Sequence, residues 1–157
     1  MFNNKKDYSQ QQQADAISVY STIFKDLSQA PPEVPWTGTQ FKSKAFNSLL
    51  TEEHSDKPLY YGISTVDGKP SANDPSSLSR TDANFHTLRA IVLDDINTKV
   101  SPELIKLQPT FIIETSSNNY QYIYVLSDPI NNKELAKRVL RSFKLHTPII
   151  GLSLIHI

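Results

Sequence analysis

The run Leu88 to Asp95, LRAIVLDD, constrains the fold of this chain more than any other stretch. Its aliphatic residues are consecutive rather than alternating, so it reads as a strand with both faces covered. Such a strand needs neighbours in a sheet and further elements above and below it. The run nevertheless ends in two carboxylates, Asp94 and Asp95. A charge at the edge of a core is normally paired, hydrogen-bonded or bound to a metal.

The flanking sequence supplies partners. Ile17, Tyr20, Phe24 and Leu27 recur at i, i+3, i+7 and i+10, which predicts a helix over 14–27. The prolines of Gln29 to Trp36 end it, because proline lacks the donor N–H and clashes with the preceding turn. A second short helix is expected over Ala45 to Glu53. Leu59 to Val66, LYYGISTV, is rich in aromatic and β-branched residues and predicts one strand, closed by a turn at Asp67-Gly68. Residues 69–87 form a long polar loop of the kind that is either mobile or functional. A short helix is expected over Pro102 to Leu107 with Ser101 as its N-cap.

Thr110 to Glu114 and Tyr120 to Leu126 predict two strands joined by TSSNN, a hairpin with a four- or five-residue loop. Along the second strand Tyr120, Tyr122, Tyr124 and Leu126 share one face and Gln121, Ile123 and Val125 the other. Gln121 is thus the polar member of an aliphatic face. The last helix, Asn131 to Leu145, begins with a capping-box spacing from Asn131 to Glu134 and sets Leu135, Val139 and Phe143 at i, i+4 and i+8. The expected fold class is α+β, a small mixed or antiparallel sheet with flanking helices over 59–151, preceded by a helical region and linker over 1–58.

Sixteen basic and sixteen acidic residues cancel, so overall charge does not argue for a nucleic-acid partner. The absence of cysteine excludes a disulfide framework and any thiolate metal site. The polar start MFNNKKDYSQQQQ has no apolar segment of a secretory signal, and no apolar run reaches the roughly 20 residues of a membrane span. A cytoplasmic chain without membrane contact is expected. The final LSLIHI, residues 152–157, resembles a translated sequencing-adapter sequence, so the natural chain is expected to continue past about Gly151.

Two hard oxygen ligands without cysteine or clustered histidine suit Mg2+ or Mn2+ rather than zinc. Consecutive strand residues point to opposite faces, so an isolated Asp-Asp is more often a solvated loop pair than a ligand set, unless the strand bends there. A calcium loop starting at Asp95 fails, with Val100 at its sixth position and Lys106 at its twelfth. The hairpin Ile112 to Leu126 offers hydroxyl, amide and backbone N–H donors to a phosphate, although Ser and Asn also populate ordinary turns. No histidine is assigned as a ligand; His86 lies nearest in sequence to the Asp pair. Lys133, Lys137, Arg138, Arg141 and Lys144 are expected on the solvated face of the last helix.

Taken together, LDDINTKV and PTFIIETSSNNYQYIYVLSDPI resemble the archaeo-eukaryotic primase superfamily, in particular the RepB-like primase domains at the front of phage and plasmid primase-helicase proteins. Members read as an aliphatic run ending in Asp-Asp-Ile-Gly-Thr-Lys, followed by Glu-Thr-Ser-Pro-Gly-Asn-Tyr-Gln. In this chain Asn97 stands in place of the usual glycine and Ser117-Asn118 in place of Pro-Gly, and the acids are adjacent where many members of the wider superfamily space them as Asp-x-Asp.

The resemblance implies a truncated primase core with an RRM-like sheet, and metal-dependent nucleotidyl transfer that makes primers on single-stranded DNA. It assigns Asp94 and Asp95 as metal-binding and catalytic. Ser116, Ser117, Asn118, Asn119 and Gln121 would bind the nucleotide, with Lys99 as a further phosphate or template contact. It also implies nucleoside triphosphates as substrates, a third acidic motif further along, a C-terminal helicase domain, and a fragment inactive by itself. Two other classes compete: a non-catalytic single-strand or origin DNA-binding module, to which seven tyrosines and seven phenylalanines offer stacking surfaces, and a metal-dependent nuclease, which leaves the Gln121 hairpin unexplained.

Overall fold

The computed structural model describes residues 18–25, 33–38, 43–45 and 60–146. Within them the fold is α+β. Helix α1 covers 18–23. Strands β1 (Trp36–Gly38), β2 (Ser43–Ala45) and β3 (Tyr60–Tyr61) make a small antiparallel sheet in the order β2-β1-β3. The larger sheet joins β4 (Ser64–Val66), β5 (Phe85–Ile96), β6 (Phe111–Ser116) and β7 (Asn119–Ile130) in the order β4-β5-β7-β6, with every pairing antiparallel. Helix α2 (Lys133–His146) follows. No helix among the described residues is long and apolar enough to cross a membrane.

The aliphatic run becomes the inner strand β5, as its unbroken hydrophobicity requires. Leu88, Leu93, Ile96 and Ile123 are fully buried, and each stabilises the fold by roughly 2 kcal/mol through burial alone. Directly paired residues share a face, so Ile91 with Tyr124 and Leu93 with Tyr122 define one side, and Ala90 with Val125 and Val92 with Ile123 the other. Helix α2 covers the tyrosine side, where Phe143 packs on Tyr124 with ring centroids 5.4 Å apart. On the other side Tyr20 of α1 meets Tyr61 edge-on at 5.7 Å. Val19, Tyr20, Ile23 and Phe24 belong to the same buried cluster as the residues of β5 and β7.

Several expected elements take a different form. Leu59 to Val66 is not one strand: it breaks at Gly62-Ile63, with β3 in one sheet and β4 in the other. At the break the Trp36 indole lies where a side chain on residue 62 would begin, so glycine alone fits there. The polar loop ends earlier than expected, at Asn84, and is ordered. The Asn84 amide donates to both carboxylate oxygens of Asp67 at 3.0 and 3.1 Å, and Pro70 bridges to Leu78. The helix expected at 102–107 is a single 3-10 turn, Pro102–Leu104, and the Ser101 side chain makes no capping bond.

Strand β7 runs past Leu126 to Ile130 through an irregularity that holds Pro129, a position where the missing N–H is tolerated. Helix α2 is capped by Asn132 instead of Asn131: its Oδ1 accepts the Leu135 N–H at 2.9 Å. The stripe that α2 buries is Ala136 and Leu140. Val139 and Phe143 flank it, and Leu135 is left 40% exposed. On the polar side Lys133 and Lys137 grip Asp82 at 3.2 and 2.9 Å, while Arg138 and Arg141 face solvent. Ala45 closes β2, and the rest of the expected helix at 45–53 lies outside the described residues, as do 1–17 and 152–157.

Arg89 crosses from β5 to Glu33, donating from Nε and Nη2 to Oε1 at 3.2 and 2.9 Å, and the Thr65 hydroxyl donates to the same oxygen. The pair pins the segment before β1 to the larger sheet. Two measurements test this account of the sheet junction. Gly62→Ala drives a methyl group into Trp36 and is expected to lower stability in urea unfolding by about 1–3 kcal/mol. Glu33→Gln leaves the Arg89 charge without its counter-ion and is expected to cost about 3 kcal/mol. Wild-type midpoints in both variants would contradict the junction described.

Candidate functional site

The two aspartates sit in a β-bulge. Leu93 pairs with Tyr122 and Ile96 with Tyr120, so Asp94 and Asp95 together oppose a single residue, Gln121. Bulges bend a strand and re-aim its side chains, which answers the objection that adjacent strand residues must diverge. Asp95 takes the bend in its own backbone, with φ 58°, a left-handed value that aspartate tolerates better than most residues. The Asp95 N–H donates to Asp94 Oδ1 at 2.9 Å, and Lys99 Nζ donates to Asp95 Oδ2 at 2.6 Å. Hydrogen bonding to Asp95 and its negative charge hold the Lys99 ammonium pKa above the ordinary lysine value. Both aspartates are half-buried and Lys99 is exposed.

Gln121 has a partner that the sequence did not suggest. The Tyr61 hydroxyl donates to Gln121 Oε1 at 2.8 Å. Burial, and secondarily the charge of Asp94, push the Tyr61 phenol well above its usual range. Asp94, Gln121 and Tyr61 are therefore neighbours on one side of the sheet. A lone polar residue on an aliphatic strand face was itself a sign that some partner had to come from elsewhere. Nothing local points to Tyr61, which lies sixty positions away.

The two sequence motifs also meet. Asn97 Nδ2 donates to the Asn118 carbonyl at 3.2 Å, and the Thr98 hydroxyl donates to Asn119 Oδ1 at 2.7 Å. The hairpin is tighter than expected, with Ser117 and Asn118 alone between β6 and β7. Asn97 and Asn118 occupy the left-handed region at φ 73° and 59°, so asparagine does at both turns what glycine would do. The hairpin N–H groups are partly engaged: Asn118 N–H donates to Glu114 Oε1 at 3.0 Å. Ser116 and Ser117 are exposed at the tip.

The donor set suits a hard divalent cation held by one or two carboxylates with water and phosphate completing the shell. Among the described residues, the hydrogen bonds use one oxygen of each aspartate and leave the other. No group of three acidic, histidine or cysteine side chains converges among those residues. His86 is remote from the pair: it lies near the other end of β5, roughly 26 Å away along the strand, with Nδ1 2.8 Å from the Thr87 hydroxyl. Comparison with protein-family models, with curated proteins and with solved structures finds no match for this chain.

The buried phenols make a pH test possible. Burial, with a smaller contribution from Tyr122, raises Tyr124 to about 12, and its hydroxyl donates to the Leu107 carbonyl at 2.9 Å. Unfolding returns both phenols to about 10, so the unfolded chain loses these protons first. The stability they contribute is complete below about pH 10 and is lost as pH rises through the folded values. Tyr124→Phe and Tyr61→Phe are each expected to flatten this alkaline fall in denaturant-unfolding measurements. A fall of unchanged size in both variants would contradict the burial described.

Proposed function

We propose that this chain carries the front part of a primase-type active site, in which a full-length protein makes primers on single-stranded DNA by metal-dependent nucleotidyl transfer. The observation that carries the reading is the bulge: it sets two acidic residues opposite Gln121 in the ladder, beside a hairpin tied to the same loop by Asn97 and Thr98. In this reading Asp94 and Asp95 hold Mg2+ or Mn2+ through their remaining oxygens. Such an ion, when bound, lowers the barrier to attack of a 3'-hydroxyl on the α-phosphate and stabilises the departing pyrophosphate. The chain's own residues position the triphosphate.

Tyr61 holds the Gln121 carbonyl oxygen and so leaves the amide NH2 as the group that would donate to a phosphate oxygen. Ser116 and Ser117 present hydroxyl groups at the hairpin tip, while the Asn119 side chain is engaged by Thr98 and Thr115. Lys99, ion-paired with Asp95, would offer its ammonium to a phosphate oxygen. The template is single-stranded DNA, and a C-terminal helicase domain completes the full-length chain by analogy with the primase-helicase proteins the sequence resembles.

One observation favours a second reading. The Lys99 ion pair already satisfies Asp95, as it would in a non-catalytic module that binds single-stranded or origin DNA through the same shell. The two readings separate in one assay. Full-length protein is expected to synthesise primers only with Mg2+ or Mn2+, and the Asp94→Ala, Asp95→Ala double variant to lose at least about a hundredfold, near 3 kcal/mol of barrier. Undiminished synthesis by the double variant rejects the assignment. DNA binding that ignores the divalent cation, without synthesis, favours the module.

A further inference from the structure

Helix α2 carries more apolar surface than the sheet covers. Ala136 and Leu140 are buried against β5 and β7, while Leu135, Val139 and Phe143 run along the adjoining flank at i, i+4 and i+8. Phe143 leans on Tyr124, but Leu135 is 40% exposed. Together with Arg138 and Ser142 the three line an open groove of about 570 Å3. A contiguous apolar row rimmed by polar groups is the mark of an interaction surface. The charges beside the groove are sorted along the helix. Glu134 lies in the first turn, and Arg138 and Arg141 follow one and two turns later. All three are exposed, and among the described residues none joins an ion pair, although Glu134 and Arg138 are four positions apart. On the opposite flank Lys133 and Lys137 are already paired with Asp82.

We propose that this flank joins two copies of the chain, α2 against α2, antiparallel about a two-fold axis. Such a contact is self-complementary, because whatever one copy offers at one end its partner offers at the other. With Val139 near the axis, Leu135 of each copy packs toward Phe143 of the partner subunit, side chains interdigitating as in other helix pairs. The Glu134 end of each helix then meets the arginine-bearing turns of the other. Parallel packing would set glutamate against glutamate and arginine against arginine, so the charges select the antiparallel arrangement. An acidic partner of another kind would answer the arginines and be repelled by Glu134; a second copy answers all three. The pairing stands independently of the metal-site reading.

Sedimentation equilibrium of the full chain at concentrations up to about 100 μM is expected to show reversible monomer–dimer exchange. Leu135→Glu, at an exposed position where circular dichroism is expected to report an unchanged fold, should weaken the dimer at least about tenfold. Glu134→Arg alone, and Arg138→Glu with Arg141→Glu, should each weaken it about fivefold, and all three reversals together should restore it to within about twofold of wild type. The combined variant carries the same changes within each helix, so its recovery reports the contact between copies. Asp94→Ala is expected to dimerise as wild type does. A chain that stays monomeric over this range, a larger assembly, a dimer indifferent to Leu135→Glu, or charge reversals that fail to compensate overturns the proposal.

Discussion

Between Leu93 and Ile96, β5 carries one residue more than the segment of β7 it pairs with. The candidate carboxylate site depends on that mismatch. Without it Asp94 and Asp95 would fall on opposite faces, one of them toward the side covered by α2. With it, the left-handed Asp95 opens the strand into the Asn97–Val100 loop, which folds back so that the Lys99 and Val100 N–H groups donate to the Asp95 carbonyl at 2.9 and 3.3 Å. Buried Ile96 and Val100 hold the loop against the core. The bulge is therefore held from both sides, by ladder pairs within the sheet and by apolar burial beyond it.

The central strands were readable in the sequence because their signals are local. An unbroken aliphatic run gave β5, alternation of tyrosines with Gln121, Ile123 and Val125 gave the two faces of β7, and periodicity gave α2. What the sequence hid was set by contacts between distant segments. Residue 62, where the strand breaks, has to be glycine because Trp36 occupies the space beside it, and no property of YYGIS announces a tryptophan from a separate segment. Asn84 ties down a loop that reads as either mobile or functional, because its partner, Asp67, lies at the other end of that loop. Capping shifted by one residue to Asn132, which is beyond the resolution of a pattern of three polar residues in succession.

The placement of the candidate residues was readable in the same measure. Asp94, Asp95, Gln121 and the Ser116–Asn119 hairpin were named from the sequence, and the fold brings their elements together. Asn97 and Asn118 do adopt the glycine-like conformations their positions demand. Tyr61 and Glu114 were not foreseen, and both alter the electrostatics: one holds the Gln121 carbonyl oxygen, the other takes a hairpin N–H.

The central claim is that the bulge makes a cation site of two adjacent carboxylates. Electron paramagnetic resonance of Mn2+ titrated into the full chain, with and without a nucleoside triphosphate, tests it most directly. The account predicts a bound-Mn2+ population that tightens with triphosphate and is lost in Asp94→Asn. Mn2+ binding that is absent in the wild-type chain, or equal in wild type and Asp94→Asn, would contradict it.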